Sequence, residues 1–335
     1  MSDKRKFELH AGPFLHAGRS TRGLMAEVLL ALVPVVLAAV WFFGVAALLS
    51  VAVACAGAML TERALSAGPR GISLRDGSAA ITGVMLALTL PPSLPLWMGF
   101  LGGAFGIGAG KLAFGGLGQN PFNPALVGRA FLQAAFPGAV THWTRPFAAS
   151  RELLPSVFTL PFTKAPAIDA VTSATPLGMA KFEHQLTPLS SLFWGNVAGS
   201  LGETSAALLL IVGGWLAIRR VFDYRLCLST LLSTLVTSAL FHLAAPSRCP
   251  EPLFMLLSGG VLFAAVFMAT DPVTTPVTPI GAWIYGAGVG LLIVLIRSFG
   301  GLPEGVMYSV LLMNAVTPLI ERTTQPKPFG ATVRP

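Results

Sequence analysis

Residues 24–43 read LMAEVLLALVPVVLAAVWFF, twenty positions with one charge, Glu27, and one proline. A helix needs about 20 apolar residues to cross the hydrocarbon layer, so this stretch reads as a membrane span. The polar lead before it carries Lys4, Arg5, Lys6, Arg19 and Arg22, and no small-residue cleavage pattern is present, which makes it a retained span and not a secretory signal. The remainder agrees: of 335 residues, 54% are hydrophobic and 11% charged, with a mean hydropathy of +0.73. No ordinary soluble domain has this composition.

Further apolar runs occupy residues 45–60, 78–90, 94–114 and 122–136, then, after a long loop, 202–218, 226–245, 253–269, 280–296 and 302–320. The expected fold class is an all-α integral membrane protein of about ten transmembrane helices. The runs at 78–90 and 122–136 are short and bordered by Gly, Pro and Asn, which predicts broken or partly re-entrant helices there. The halves share a fingerprint: KLAFGGL (111–117) precedes the fifth run and IRSFGGL (296–302) the tenth, and a proline-rich break (Pro91, Pro92, Pro95; Pro272, Pro276, Pro279) precedes the fourth and ninth. Five spans per copy is an odd number, so the copies are expected as two inverted five-helix repeats. The domain reading is a tail (1–23), a first repeat (24–138), a loop (139–201), a second repeat (202–320) and a tail (321–335).

With the N-terminus in the cytoplasm, fifteen of the 22 Lys and Arg residues fall inside; Arg145, Arg151, Lys164, Lys181, Arg248 and Arg297 fall outside, and Arg129 lies within the fifth span. That bias predicts both termini cytoplasmic and the 139–201 loop on the outer, periplasmic face of a bacterial inner membrane. The net charge of +8 is scattered through short loops without a basic, aromatic-interleaved stripe, so the expected partner is lipid and not nucleic acid. Of the three cysteines, Cys55 and Cys227 sit in apolar runs and Cys249 in a short loop, with no CxxC spacing. No metal site is expected from this chain, and Cys249 reads first as a small loop residue, a ligand to a shared cluster being the alternative.

Discontinuous helices at the junction of inverted repeats often line a ligand or ion route. The candidates are Asp76-Gly77-Ser78, Asn120-Pro121-Phe122-Asn123-Pro124 and Thr270-Asp271-Pro272, each of which also reads as a helix cap or turn. Glu27, Glu62, Lys111, Arg129, Glu203 and Asp271 are ionisable groups in or near spans, paired or snorkelling. Glu203 is placed to begin a helix, where a carboxylate favours the dipole. The glycines of residues 102–110 lie inside a span and read as close helix packing, not phosphate binding. Trp283 and Tyr285 read as interfacial anchors, with stacking on a bound aromatic ring as the alternative.

In the long loop stands DAVTSATP (169–176), polar and small-residued, accessible to a modifying enzyme. It reads either as a cap or turn or as a modification site, and Asp169, Ser173, Ala174 and Thr175 match the motif read by flavin transferases of the ApbE family. That resemblance implies a flavin mononucleotide (FMN) joined through a phosphoester to the Thr175 hydroxyl. Pro176 biases Thr175 toward an extended conformation.

The strings DGSAAITG (76–83), NPFNPALVG (120–128), GSLGETS (199–205) and ATDPVTTP (269–276) extend the likeness over nearly the whole chain. They resemble the D-subunit family of the Rnf electron-transport complexes, whose close relative is the B subunit of the sodium-pumping NADH:quinone reductase. The short lead before the first span favours the former. The resemblance implies a membrane electron carrier without an independent catalytic site, in a complex that couples electron transfer between ferredoxin and NAD to Na+ or H+ movement. It also implies noncovalent riboflavin and, as partners, membrane iron–sulfur subunits, a second covalent-FMN subunit and the maturing transferase. A urea-channel-like transporter is the rival from another class, because Asn123-Pro124-Ala125 resembles a channel motif; the second repeat has no such string.

Overall fold

In hydrocarbon every backbone polar group must find its partner within the chain, and helices are the local solution. The computed structural model describes residues 20–66, 73–147, 155–161, 163, 174–246 and 248–326, and among them it is all-helical. In chain order the helices are α1 (Thr21–Phe43), α2 (Val45–Leu65), α3 (Ser78–Leu88), α4 (Leu96–Gly110), α5 (Pro124–Ala135) and α6 (Pro137–Val140). There follow α7 (Pro176–Gly178), α8 (Leu189–Trp194), α9 (Ala206–Ile218), α10 (Tyr224–Ala244), α11 (Pro252–Leu257), α12 (Val261–Phe263), α13 (Pro279–Phe299) and α14 (Val306–Thr324). Five are long and apolar enough to cross a membrane: α1, α2, α4 with its continuation to Phe114, α10 and α13; α3 and α9 are shorter apolar helices. Leu37 and Trp41 on α1, Ile211 and Ile218 on α9, and Leu240 and Leu243 on α10 are more than half exposed. Water would disfavour such surfaces and lipid favours them, so the chain is a membrane protein.

Each expected apolar run is helical over most of its length. The short ones end on the polar residues that border them: α3 has 11 residues behind Gly77 at φ +79°, and α5 has 12. Asn123 Oδ1 caps α5 by accepting the N–H groups of Ala125 and Leu126 at 3.0 and 3.3 Å. The run 253–269, expected as one helix, is broken at Ser258-Gly259-Gly260 into α11 and α12, the latter continuing as a π turn (Ala264–Met268). Gly259 lies at φ +62°, and the space a Cβ would need there is taken by Leu177, Arg297 and Glu304. The two FGGL strings differ in conformation. Gly115 and Gly116 both have positive φ, whereas Gly300 is extended and closes α13 by donating its N–H to Ile296 O at 2.8 Å.

Small residues set the helix contacts. Gly286 and Gly290 of α13 face Ser229 and Thr230–Ser233 of α10, and Ser229 and Ser233 donate to the carbonyls of Trp283 and Ala287, each at 2.7 Å. In the first half, Gly102, Gly106 and Gly110 of α4 lie against α5, while Gly103 lies against α2; the glycine run is helix packing, as expected. A Cβ on Gly103 would overlap Ala54 O and stand 3.0 Å from Ala58 N, while one on Gly99, a turn earlier, meets nothing within 4 Å. Gly103→Ala is therefore expected to lower stability by about 1–3 kcal/mol, and Gly99→Ala to leave it unchanged or raise it by up to about 1 kcal/mol. Thermal unfolding of the two variants in detergent checks the contrast.

Candidate functional site

Thr175 is half-buried and extended, at φ −70° and ψ 157°, as the following proline dictates. Its Oγ1 accepts the Gly178 N–H at 3.1 Å, so it caps α7. Asp169 and Ser173 lie outside the described residues; Ala174 is exposed beside Thr175. The segment is anchored by buried Pro176 and Leu177 and by Lys181 in the π turn that follows. Lys181 Nζ donates to the carbonyls of Arg297, Gly300 and Leu302 at 2.8, 2.5 and 3.0 Å, gripping the C-terminal end of α13 and the turn beyond. The helix cap and the threonine that the motif singles out are thus one residue.

Thr175 lies on the wall of a cavity of about 40 Å³ whose charged lining is Arg129, Glu203 and Glu304. Arg129 comes from α5, Glu203 from the connection before α9 and Glu304 from the turn before α14. Arg129 Nη1 stands 3.5 Å from Glu203 Oε1. Arg297, 4% exposed, pairs with Glu304 at 3.0 Å and donates to the carbonyls of Met255 and Ser258 at 2.7 and 3.1 Å. The broken α11–α12 segment supplies those carbonyls, which explains the break. Burial pushes the Glu203 carboxyl up to about 7; Arg129 opposes that shift and Glu304 adds to it.

Two readings of charged residues are corrected here. Glu203 is not in a first helical turn: α9 starts at Ala206, and Ser205 Oγ caps it by accepting the Leu208 N–H at 3.3 Å. Arg297 is not an outer-loop charge that reports topology, because it is buried and paired with Glu304; Lys111, read as paired or snorkelling, is buried and paired with Glu62. Sequence reasoning singled out Arg129 and Glu203 but missed Arg297 and Glu304, whose only signal is their place on either side of the second FGGL.

At the opposite end of the bundle the three polar candidates come together. Ser78, Asn120, Asn123 and Asp271 all line a cavity of about 80 Å³, and Lys111 joins them. Asn123 Nδ2 faces Asp271 Oδ2 at 3.4 Å. Asp76 Oδ1 accepts both the N–H and the hydroxyl of Ser78, at 2.8 and 2.6 Å. These groups therefore cap helices and line a cavity at once. Tyr285 is no interfacial anchor: it is fully buried, its hydroxyl 2.6 Å from the Asn314 side-chain amide, while Trp283 is 41% exposed. The Cys249 thiol is buried and donates to Ser238 O at 3.6 Å.

The family model described as NQR2, RnfD, RnfE matches residues 8–330. The chain is 38% identical over 346 residues to the D subunit of the ion-translocating oxidoreductase complex of Yersinia enterocolitica, covering 96% of this chain and 98% of the relative. It is 39% identical to the D subunit of the Na(+)-translocating ferredoxin:NAD(+) oxidoreductase complex of Acetobacterium woodii, covering 96% of this chain and 95% of that protein. To the D subunit of the proton-translocating ferredoxin:NAD(+) oxidoreductase complex of Clostridium ljungdahlii it is 36% identical, covering 98% of this chain and 97% of that protein. With a family model and relatives matching almost its whole length, the chain belongs to the NQR2, RnfD, RnfE family.

Proposed function

We propose that this chain is the membrane D subunit of an ion-translocating ferredoxin:NAD oxidoreductase complex, and that it carries electrons through FMN held by a phosphoester on Thr175. The observation that carries the assignment is the near full-length likeness to subunits of that name. Activity of the reconstituted complex tests it. Reduction of NAD by reduced ferredoxin that stops when this subunit is omitted supports the reading. Oxidation of NADH by quinone, with ferredoxin inert, would replace it by a subunit of the sodium-pumping quinone reductase.

The surroundings of Thr175 fit an FMN phosphate. Thr175 is half-buried, the Gly178 N–H already points at the oxygen that would bear the ester, and Arg129, shared with Glu203 at 3.5 Å, offers a cation in the same cavity. That cavity, at about 40 Å³, has room for water and not for a three-ring system, so the ring would rest over its mouth. The bound group supplies reversible electron uptake; the chain fixes where this happens and which charges surround it. Wild-type subunit made together with the flavin transferase should fluoresce on a denaturing gel and stay dark without it. A dark band with the transferase present rejects covalent FMN.

The reading extends to topology. The helical segments found over the ten apolar runs, the placement of one polar cavity at each end of the bundle and the glycine-led starts of α3 and α12 support two inverted five-span halves. In that arrangement the Thr175 end faces the periplasm and both termini the cytoplasm. Membrane iron–sulfur subunits and a second covalent-FMN subunit belong beside it. Noncovalent riboflavin belongs to the same reading; the opposite cavity, at about 80 Å³, has no room for its three-ring system. The channel reading loses its support because the Asn123 amide faces Asp271 and its oxygen caps α5.

A further inference from the structure

We propose that Glu203 is the proton-accepting group of the Thr175 site: it takes one proton from the aqueous phase on the Thr175 side when an electron reaches that site, and so neutralises the added charge from within the protein. The inference rests on the covalent-flavin reading of Thr175.

Geometry puts Glu203 in reach of both water and the cofactor position. It shares with Thr175 a cavity large enough for water, and water there would connect a buried carboxylate to the mouth. The charged groups facing it come from three elements: Arg129 from α5, Arg297 from α13 and Glu304 from the turn before α14. Gly260, from the helix break, packs directly on its carboxylate and brings no charge. Arg297 is committed to Glu304 and two carbonyls, and Glu304 accepts the Val306 N–H at 3.3 Å as well. Glu304 thus has fixed partners. Glu203 has Arg129 at 3.5 Å and a second carboxylate nearby, and burial raises its pKa, so it is placed to take up a proton. A further negative charge placed over the cavity, in a poorly screened region, favours its neutral form.

The step balances simply. The electron comes from the reduced donor of the complex and the proton from solvent; an O–H bond forms on a Glu203 oxygen, and both particles leave on reoxidation. Because burial raises the Glu203 carboxyl to about 7, its contribution to the pH dependence of the Thr175 flavin potential should be absent in acid, where Glu203 already holds its proton, and appear above neutral as a slope added to that of the ring's own protons.

Redox titration of the purified complex across that range tests this, with the Thr175→Ala complex subtracted to remove the other flavins. Glu203→Gln, with its denaturing-gel fluorescence intact, should remove that added slope and leave the ring's own. Glu304→Gln removes a carboxylate that raises Glu203, so the onset of the added slope should move to lower pH. A fluorescent Glu203→Gln protein that keeps the wild-type slope overturns the proposal. If that variant does not accumulate, the reduced-minus-oxidised infrared spectrum of wild type decides: a protonated-carboxyl stretch appearing on reduction supports the assignment, and its absence overturns it. A dark wild-type band would instead be a failure of the flavin reading itself.

Discussion

Thr175→Ala is expected to remove all flavin fluorescence from this subunit on a denaturing gel, with the protein band itself undiminished. The loss is complete because a phosphoester needs a hydroxyl oxygen and alanine has none. Its structural side effect is small. Thr175 Oγ1 accepts one hydrogen bond, from Gly178 N–H, and removal of such a cap costs about 0.5–2 kcal/mol. The segment is otherwise held by buried Pro176 and Leu177 and by the three carbonyl bonds of Lys181, none of which involves the hydroxyl. Thr175→Ser keeps both the oxygen and the capping geometry, so it should retain fluorescence. A bright Thr175→Ala band would show that the flavin is attached elsewhere.

Thr175 could be named as a candidate because the motif it matches is a linear string, and a linear string survives in one sequence without its fold. The long helices were legible for a related reason: each satisfies its own backbone, so length and apolarity suffice to find it. The break in the run 253–269 was not, because three small residues barely alter the apolar character of a long stretch. Its cause lies in Arg297, which needs the carbonyls of Met255 and Ser258, about 40 positions along the chain. The charged quartet was hidden in the same way. Arg129 and Glu203 could be seen as costly groups in or near spans, yet nothing in either neighbourhood names the other as its partner, and Arg297 read as an ordinary loop cation. Pairing across the fold is a property of packing, and polar residues that close one helix while lining a cavity with two others give only the capping signal locally.

The second large effect belongs to the opposite end. Lys111 Nζ donates to Glu62 Oε1 and to Ser78 Oγ, each at 2.6 Å, from positions 49 and 33 residues away, and Lys111 and Glu62 are 2% and 0% exposed. Removing one member strands the other charge in a medium that cannot solvate it, which costs about 3–5 kcal/mol. Glu62→Leu and Lys111→Met are each expected to lower the unfolding temperature sharply in detergent and to reduce the amount of subunit in the membrane. The double variant should recover most of the loss, since an apolar pair of similar volume carries no desolvation penalty. Single variants as stable as wild type would mean that the pair is not held as a buried ion pair in the folded protein. A double variant that folds, keeps its Thr175 flavin and still fails to couple electron transfer to ion movement would give the pair a second role. Lys111 and Ser78 line the same cavity as Asn123 and Asp271, so neutralising Lys111 changes the charge of that cavity, and recovered stability with lost coupling is the combination that a purely structural ion pair cannot produce.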